Sequence, residues 1–505
     1  MAVPEEIRKV ERPKNTKVVD HGGTGLRRYA VIARTGCKRV DGKNIPVEGG
    51  TVGHIIDGRF VPMEHEDLRR SRVELKDYAD VCLVDSLSKD LLDELEKCYS
   101  ISDARKIYVL ALLRVCNHDL PDAEVSSSYQ ESWASMLYPS VPLSKNTVSA
   151  LEKNLGNAYS SIIRFMRNRT ARITAEMHIA IDGTLITDNS IENTLSAYSR
   201  KARIKGTRDI SVLYAYDVDT REPICSKVYG GNIVDATAYR NFLEENKITK
   251  GVIIGDKGFP QKEAADIFMD NDELGWICPL KRNDRRIDNH SMLDYEGRLP
   301  IADKDILYKK AKGQGCWLYS FRNRKLANKE EADFYDHHQD SKFDMELLNK
   351  KLDSFGTCCF ECNQDLDPLT VYRMYSERWM IEEYFKLYKY FLDFDTTDVH
   401  SDASVYGRNF VNFISSIMTS RLVKKLEDTG LLDKRTFKSV MTELAKAKKV
   451  LVSEEDGWQY VRITKAAYKD LCTLGLATEE DAPEELADTD EPPKRKRGRP
   501  RKVRV

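Results

Sequence analysis

The stretch from residue 176 to 256 leaves the least freedom of fold. Residues 176–181 form a short apolar run that ends at Asp182-Gly183-Thr184. Two further apolar runs, 210–216 and 223–229, flank a polar turn at 217–221 and read as an antiparallel hairpin. Gly230-Gly231 punctuates the chain, and Asp235 is placed to cap a helix that carries Tyr239, Phe242 and Leu243. Residues 251–255 are continuously apolar, as expected of a strand buried on both faces, and end at Asp256-Lys257-Gly258. Strand, hairpin, helix and buried strand specify an α/β core with a mixed sheet and an aspartate at the end of each of two strands.

That order resembles a ribonuclease-H-like core, and the rest of the chain is arranged around it. With 505 residues, three or four domains are expected. Residues 1–67 are rich in glycine and valine, with alternating runs at 29–33 and 52–56, and predict a small β-rich module. Residues 68–175 turn helical. Ser88 is placed to cap a run bearing Leu91, Leu92 and Leu95, 107–115 is strongly apolar, and 142–147 opens a helix with Val148, Leu151 and Leu155. This segment fits a DNA-binding or dimerisation domain and equally a plain helical bundle. The first part of the core covers 176–280 and includes a helix at 262–269 and a strand at 275–279. Residues 281–365 depart from the alternating plan, with strands at 306–308 and 316–321 and a highly charged stretch at 328–353, and read as a β-rich insertion. The core resumes at 366–470 with a helix over 369–392 and an amphipathic helix over 405–426. Residues 471–505 form a tail whose charge blocks predict disorder, with eight acidic side chains in 479–491 and eight basic ones in 494–505.

Composition narrows the function classes. No apolar run approaches the roughly 18 residues of a membrane span, and the first residues lack the basic and apolar parts of a signal peptide, so a cytoplasmic, nucleoid-associated protein is expected. The eleven scattered cysteines argue against a disulfide framework. Cys359 and Cys362 have metal-ligand spacing, but no second pair completes four ligands, so buried thiols in a strand are expected. The net charge of −1 excludes a uniformly basic nucleic-acid binder. Local basic clusters carry more weight: Arg164, Arg167, Arg169 and Arg172; Arg200, Lys201, Arg203, Lys205 and Arg208; and Lys281, Arg282, Arg285 and Arg286 lie beside the acidic motifs.

Two aspartates at strand ends are common, and it is the helix near residue 380 that gives them meaning. At about 100° per residue, Tyr375, Arg378, Glu382 and Lys389 project within an arc of roughly 60°. Ile381, Tyr384, Phe385, Tyr388 and Leu392 fall on the adjoining arc, which is suited to dock on a sheet. Glu377 and Glu383 point elsewhere, which singles out Glu382. Taken alone, the pattern also fits an Arg–Glu pair on a solvated helix.

In-line attack on a phosphodiester is served by two metal ions about 3.5–4 Å apart, one activating the attacking oxygen and one stabilising the leaving oxygen. Hard divalent ions such as Mg²⁺, with Mn²⁺ as a substitute, prefer oxygen ligands. Asp182 is the candidate bridge, with Asp256 and Glu382 each completing one ion, while Arg378 and Lys389 hold backbone phosphates. Tyr375-x₂-Arg378-x₃-Glu382-x₆-Lys389 matches the signature of bacterial insertion-sequence transposases of the DDE superfamily. Residues 181–184 and 254–259 resemble that family's two aspartate motifs, and the similarity covers about 176–420. The resemblance implies that the two aspartates and the glutamate bind Mg²⁺ and act in catalysis, that Tyr375, Arg378 and Lys389 engage terminal DNA, and that a β-rich insertion separates Asp256 from Glu382. It also offers Trp317 or Trp276 for stacking on a flipped base, although a core position is expected for both.

The tail segment Arg497-Gly498-Arg499-Pro500 resembles an AT-hook, slim enough for a narrow A·T minor groove. The sequence therefore points to cut-and-paste transposition of double-stranded DNA, at terminal inverted repeats and at a target, by a homodimer. A catalytically idle DNA-binding derivative and a nuclease that only cuts stay open.

Overall fold

The computed structural model describes residues 3–22, 28–40, 43–62, 74–190, 192–199, 206–233, 235–256, 265–302, 304–337, 345–392, 394–451, 457–461 and 463–478. The chain divides into two compact units, one of residues 1–76 with 449–461 and one of residues 77–448 with 462–505.

In the first unit β1 (Thr16–Asp20), β2 (Tyr29–Val40), β3 (Lys43–Ile56) and β4 (Arg59–Pro62) form an antiparallel sheet in that order. Its core is small, with Ala30, Val31 and Ile55 buried. The runs at 29–33 and 52–56 are only the inner halves of β2 and β3, which continue well beyond them. A second sheet joins β5 (Glu74–Asp77) to β17 (Lys448–Leu451) and β18 (Trp458–Tyr460). The sequence reading placed 448–460 among C-terminal helices.

The second unit is built on an eleven-stranded mixed sheet. Its central strands are β6 (His178–Asp188), β8 (Arg208–Asp217), β9 (Glu222–Gly230), β10 (Gly251–Ile254) and β11 (Leu274–Pro279). β6, β8 and β9 are antiparallel neighbours, while β10 is parallel to both β6 and β11. The short β7 (Ala197–Tyr198) pairs with β8 and β16 (Thr396–Thr397) with β6. Residues 281–365 do not form a separate sheet. Their strands β12 (Gly297–Arg298), β13 (Ile306–Lys312), β14 (Trp317–Asn323) and β15 (Thr357–Cys362) continue the core sheet outward from β11. The charged stretch becomes two helices, Arg324–His337 and Met345–Leu352, around a small cluster of Ala327, Phe334, Leu348 and Phe355. Cys359 and Cys362 are buried thiols in β15, and Cys358 is exposed.

The helical segment belongs to this same unit. It comprises α1 (Ala79–Ser88), α2 (Asp90–Glu96), α3 (Ile101–Cys116), α4 (Lys145–Asn157) and α5 (Tyr159–Thr170), with shorter helices between α3 and α4. Ser100 and Ser144 accept backbone N–H bonds from Asp103 and Thr147, 3.1 and 3.3 Å long, and so cap α3 and α4. Ser88 caps nothing. It is the buried last residue of α1, and α2 starts from Lys89 without a side-chain cap. α6 (Asp235–Asn246) lies in the chain between β9 and β10.

The long C-terminal helix, here α9 (Asp402–Asp428), is the element around which these helices gather. The sequence predicted an amphipathic helix, yet Val405, Phe410, Phe413, Ile414, Ile417, Met418 and Leu422 are buried together with Asn409, Asn412, Ser415, Ser416 and Thr419. Ser415, Ser416 and Thr419 return their hydroxyls to helix carbonyls, which lets a polar-looking helix pack on all sides. α4 crosses α9 where each helix offers a glycine. A β-carbon on Gly156 would stand 1.8 Å from the carbonyl oxygen of Ala403, and one on Gly407 1.8 Å from that of Glu152. Beside this crossing Arg114 meets Glu152 at 2.9 Å and Asp122 at 3.1 Å, and Arg408 meets Glu152 at 3.0 Å.

Two outcomes follow from this packing. Gly156→Ala or Gly407→Ala must push the two backbones apart, so each is expected to cost at least about 2 kcal/mol in denaturant unfolding. Gly36→Ala, where a β-carbon meets nothing within 4 Å, serves as the near-neutral control. Asp80, 4 % exposed at the start of α1, has its carboxyl pushed up to about 6 from 3.8, first by burial and further by Asp77, against the opposing Val81 N–H bond. The folded state therefore holds a proton that the unfolded chain has released. The resulting stability is fully present below 3.8 and is lost as pH rises through 6. Measured as thermal stability against pH, Asp80→Asn should gain up to about 3 kcal/mol on the parent chain between pH 4 and 6, and a flat difference would contradict this.

Candidate active site

Asp182 sits within β6, and its carboxylate accepts the Gly183 N–H at 2.8 Å. The strand is held just before it, because the Tyr239 hydroxyl of α6 donates to the Ile181 carbonyl at 2.7 Å. β10 pairs with β6 so that Val252 faces His178, Ile253 faces Ile179 and Ile254 faces Ala180. Asp256 follows this pairing by two residues, and its charge acts on the Asp182 carboxyl. A parallel pair of buried strands thus brings together two acids that lie far apart in sequence.

Facing them is a helix in three parts: α7 (Pro368–Glu377), α8 (Trp379–Lys386) and a π-helical turn at Leu387–Phe391. Asp367 and Pro368 start α7, with the Asp367 carboxylate accepting the N–H groups of Leu369 and Thr370. The docking face consists of Ile381, Tyr384, Tyr388 and Leu392, all buried. Tyr214 of β8 lies beneath it, its ring centre 5.3 Å from that of Tyr384 and 5.6 Å from that of Tyr388. Because Tyr214 is the cross-strand partner of Asp182, the aromatic contact that seats the helix also fixes its level relative to the aspartate.

Arg378 occupies the centre. Its guanidinium lies 3.6 Å from the Asp182 carboxylate and 3.4 Å from that of Glu382, and its side chain is only 14 % exposed. Glu382, at 59 %, opens to solvent. The Asp182 carboxyl is raised above the usual carboxylate range, chiefly by burial and further by the charges of Asp256 and Glu382, while the Gly183 N–H and Arg378 pull it back. Tyr375 packs against Phe360 at 4.3 Å between ring centres. Burial raises its hydroxyl, opposed by Arg378 and reinforced by Cys358, Asp256 and Glu382. Among the described residues no three His, Cys, Asp or Glu side chains converge closely enough to hold a metal ion, and Arg378 stands between Asp182 and Glu382.

Lys389 lies in the π turn, seven residues beyond Glu382. Its charge acts on Asp209, whose carboxyl burial raises and whose bond from Thr187 and neighbour Lys389 lower. Asp209 stands five residues along β8 from Tyr214, roughly 16 Å. The basic clusters also differ from expectation. Arg169 is buried between Glu94 and Glu222, Arg172 pairs with Glu94, and Arg164 and Arg167 donate to the carbonyls of Cys98 and Glu245. Arg208 donates to the Ser196 carbonyl, and Arg200, Lys201, Arg203 and Lys205 lie outside the described residues. Arg282 and Arg286 pair with Glu330 and Glu361, and Lys281, Arg282 and Arg285 are exposed. Trp317 lies under the Lys310 ammonium at 4.7 Å, and Trp276 meets Phe268. Arg497, Gly498, Arg499 and Pro500 lie outside the described residues. No helix among the described residues is long and apolar enough to cross a membrane.

A search of curated proteins finds no match to the chain. Among solved structures it is similar to one titled as a cryo-EM structure of piggyBac transposase synaptic complex with hairpin DNA, at 11% identity over 74% of this chain and 82% of that one, with a TM-score of 0.38. Residues 174–418, just under half of the chain and the span that holds Asp182, Asp256, Arg378 and Glu382, match the family model described as the transposase DDE domain.

Proposed function

We propose that the chain is a DNA transposase that cuts DNA at the ends of a mobile element and joins them to a target, with Asp182, Asp256 and Glu382 as its catalytic carboxylates in a ribonuclease-H-like core. The observation that supports the reading is the approach of Arg378 to both Asp182 and Glu382, with the charge of Asp256 acting on Asp182, inside the span that matches the transposase DDE domain. The antiparallel β6, β8 and β9 followed by the parallel β10 support the ribonuclease-H-like assignment.

Three carboxylates on two strands and a facing helix are a hard oxygen donor set whose chemistry suits Mg²⁺ or Mn²⁺, and they would draw closer together than they stand here to share the ions. Asp182, Asp256 and Glu382 would hold two such ions, which on binding supply activation of the attacking oxygen and stabilisation of the leaving one. The chain's own contribution is to hold these acids side by side against their repulsion, with Arg378 as counter-charge. Arg378 would also meet a phosphate brought to these carboxylates, and its fork suits a bidentate contact. Lys389, near Asp209, would grip the backbone farther along the DNA. Double-stranded DNA at element ends and target is the substrate, bound by a homodimer, and the Arg497–Pro500 tail adds a minor-groove contact.

Asp182→Ala, Asp256→Ala and Glu382→Ala should each lower Mg²⁺-dependent cleavage and strand joining by at least about a thousandfold while binding to element ends persists. Full activity in any of the three refutes the assignment, and cutting without joined product in the parent chain makes it a nuclease. Removing residues 494–505 should weaken DNA binding and flatten its dependence on salt. An unchanged slope would make the tail irrelevant to binding.

A further inference from the structure

The first unit contains a surface that the proposed chemistry does not use. β1 pairs with β2 only over Tyr29–Ala33, and β4 pairs with β3 only over Gly53–Ile56. Beyond these contacts β2 and β3 pair with each other alone, from Arg34 opposite Glu48 to Val40 opposite Lys43. The burial pattern changes at the same point. Every residue from Arg34 to Arg39 is exposed, as are Asn44 and Pro46 to Glu48. Consecutive residues of a strand face opposite sides, so among the residues whose burial is described neither face of this two-stranded ribbon carries a core.

The departure from the sheet is built in. The pairing shifts register between Ile32 and Arg34 and again between Arg34 and Gly36. At that kink a β-carbon on Gly49 would come within 2.8 Å of Thr35. The Arg34 N–H donates to the Asn15 carbonyl at 2.7 Å and fixes the base. From Arg34 to Val40 the ribbon reaches roughly 20 Å. A two-stranded hairpin without packing is marginal alone, which favours a bound partner.

Its charge selects that partner. Arg34, Lys38 and Arg39 are exposed, and among the described residues none of them has an acidic partner. Glu48, the acid opposite Arg34, is paired with Lys17. Protecting open strand edges needs only scattered charge of either sign, whereas here every charged residue from Arg34 to Arg39 is basic. Two paired strands with side chains span roughly 10 Å, and the major groove of B-form DNA, about 12 Å wide, admits such a ribbon.

We infer that the paired strands 34–40 and 43–48 are a DNA-contacting arm that lies in the major groove of duplex DNA, with Arg34, Lys38 and Arg39 on its phosphates. This rests on the reading that the chain acts on duplex DNA, and it adds a contact separate from the carboxylate site.

The test compares the full chain with its R34A/K38A/R39A variant on one labelled DNA duplex across a salt series, and on an RNA duplex of the same sequence. Loss of three phosphate contacts should make the slope of log affinity against log salt shallower by about 2.7. The parent should prefer DNA over RNA, whose deep, narrow major groove excludes a ribbon, and the variant should lose that preference. An unchanged slope in a parent that binds and cleaves DNA overturns the arm and leaves the proposed function standing. An unchanged slope with a shift from dimer to monomer in light scattering makes the ribbon a contact between copies and equally overturns it. Failure of the parent to bind duplex DNA at all removes both readings.

Discussion

Two carboxylates carried by neighbouring parallel strands, Asp182 within β6 and Asp256 just beyond β10, are the constraint on which the site depends. Partial burial and the charge of Asp256 both raise the Asp182 carboxyl. A sheet that brings such groups together needs a cation nearby, and Arg378 supplies it from the facing helix at 3.6 Å from Asp182. The same guanidinium reaches Glu382. The arginine is therefore part of the electrostatic support of the fold.

The helix that carries Arg378 and Glu382 is positioned by aromatic packing. Tyr214 is buried beneath Tyr384 and Tyr388, and α9 closes the far side through Phe413, whose ring centre is 6.3 Å from that of Tyr214. Burying each such ring is worth on the order of 2 kcal/mol, so the helix is seated firmly at one level of the sheet. Rigid placement at Glu382 is followed at once by a π turn that sends Lys389 toward Asp209. The helix thus presents two separate points of positive charge, one at the carboxylates and one farther along β8.

Much of this was legible in the sequence because local pattern and burial agree there. The apolar runs before Asp182 and Asp256, the polar turn at 217–221 and the docking face of Ile381, Tyr384 and Tyr388 all follow from period and composition. The pairing of Arg378 with Glu382 followed from an ideal helical turn, whereas the π turn that carries Lys389 leaves no mark in residue type. The basic cluster around Arg169 looked like a binding surface because a sequence does not show its counter-charges. Glu94 and Glu222, the partners that bury Arg169, lie 75 and 53 residues away. α9 looked amphipathic because its serines and threonines satisfy themselves on the helix backbone. The two short strands at 448–460 depend on β5, hundreds of residues earlier, and no local pattern announces such pairing.

The central claim is that Asp182, Asp256 and Glu382 form one divalent-metal site, and its most direct test is to let the metal mark its own ligands. With Fe²⁺ in place of Mg²⁺ and a peroxide reductant system, radicals formed at the bound ion cut the nearby backbone. The account predicts cuts in the full chain around residues 182, 256 and 382 together, suppressed by excess Mg²⁺ and absent from the Asp182→Ala chain. Cuts confined to other positions, or cuts at these positions that persist in Asp182→Ala, would contradict it.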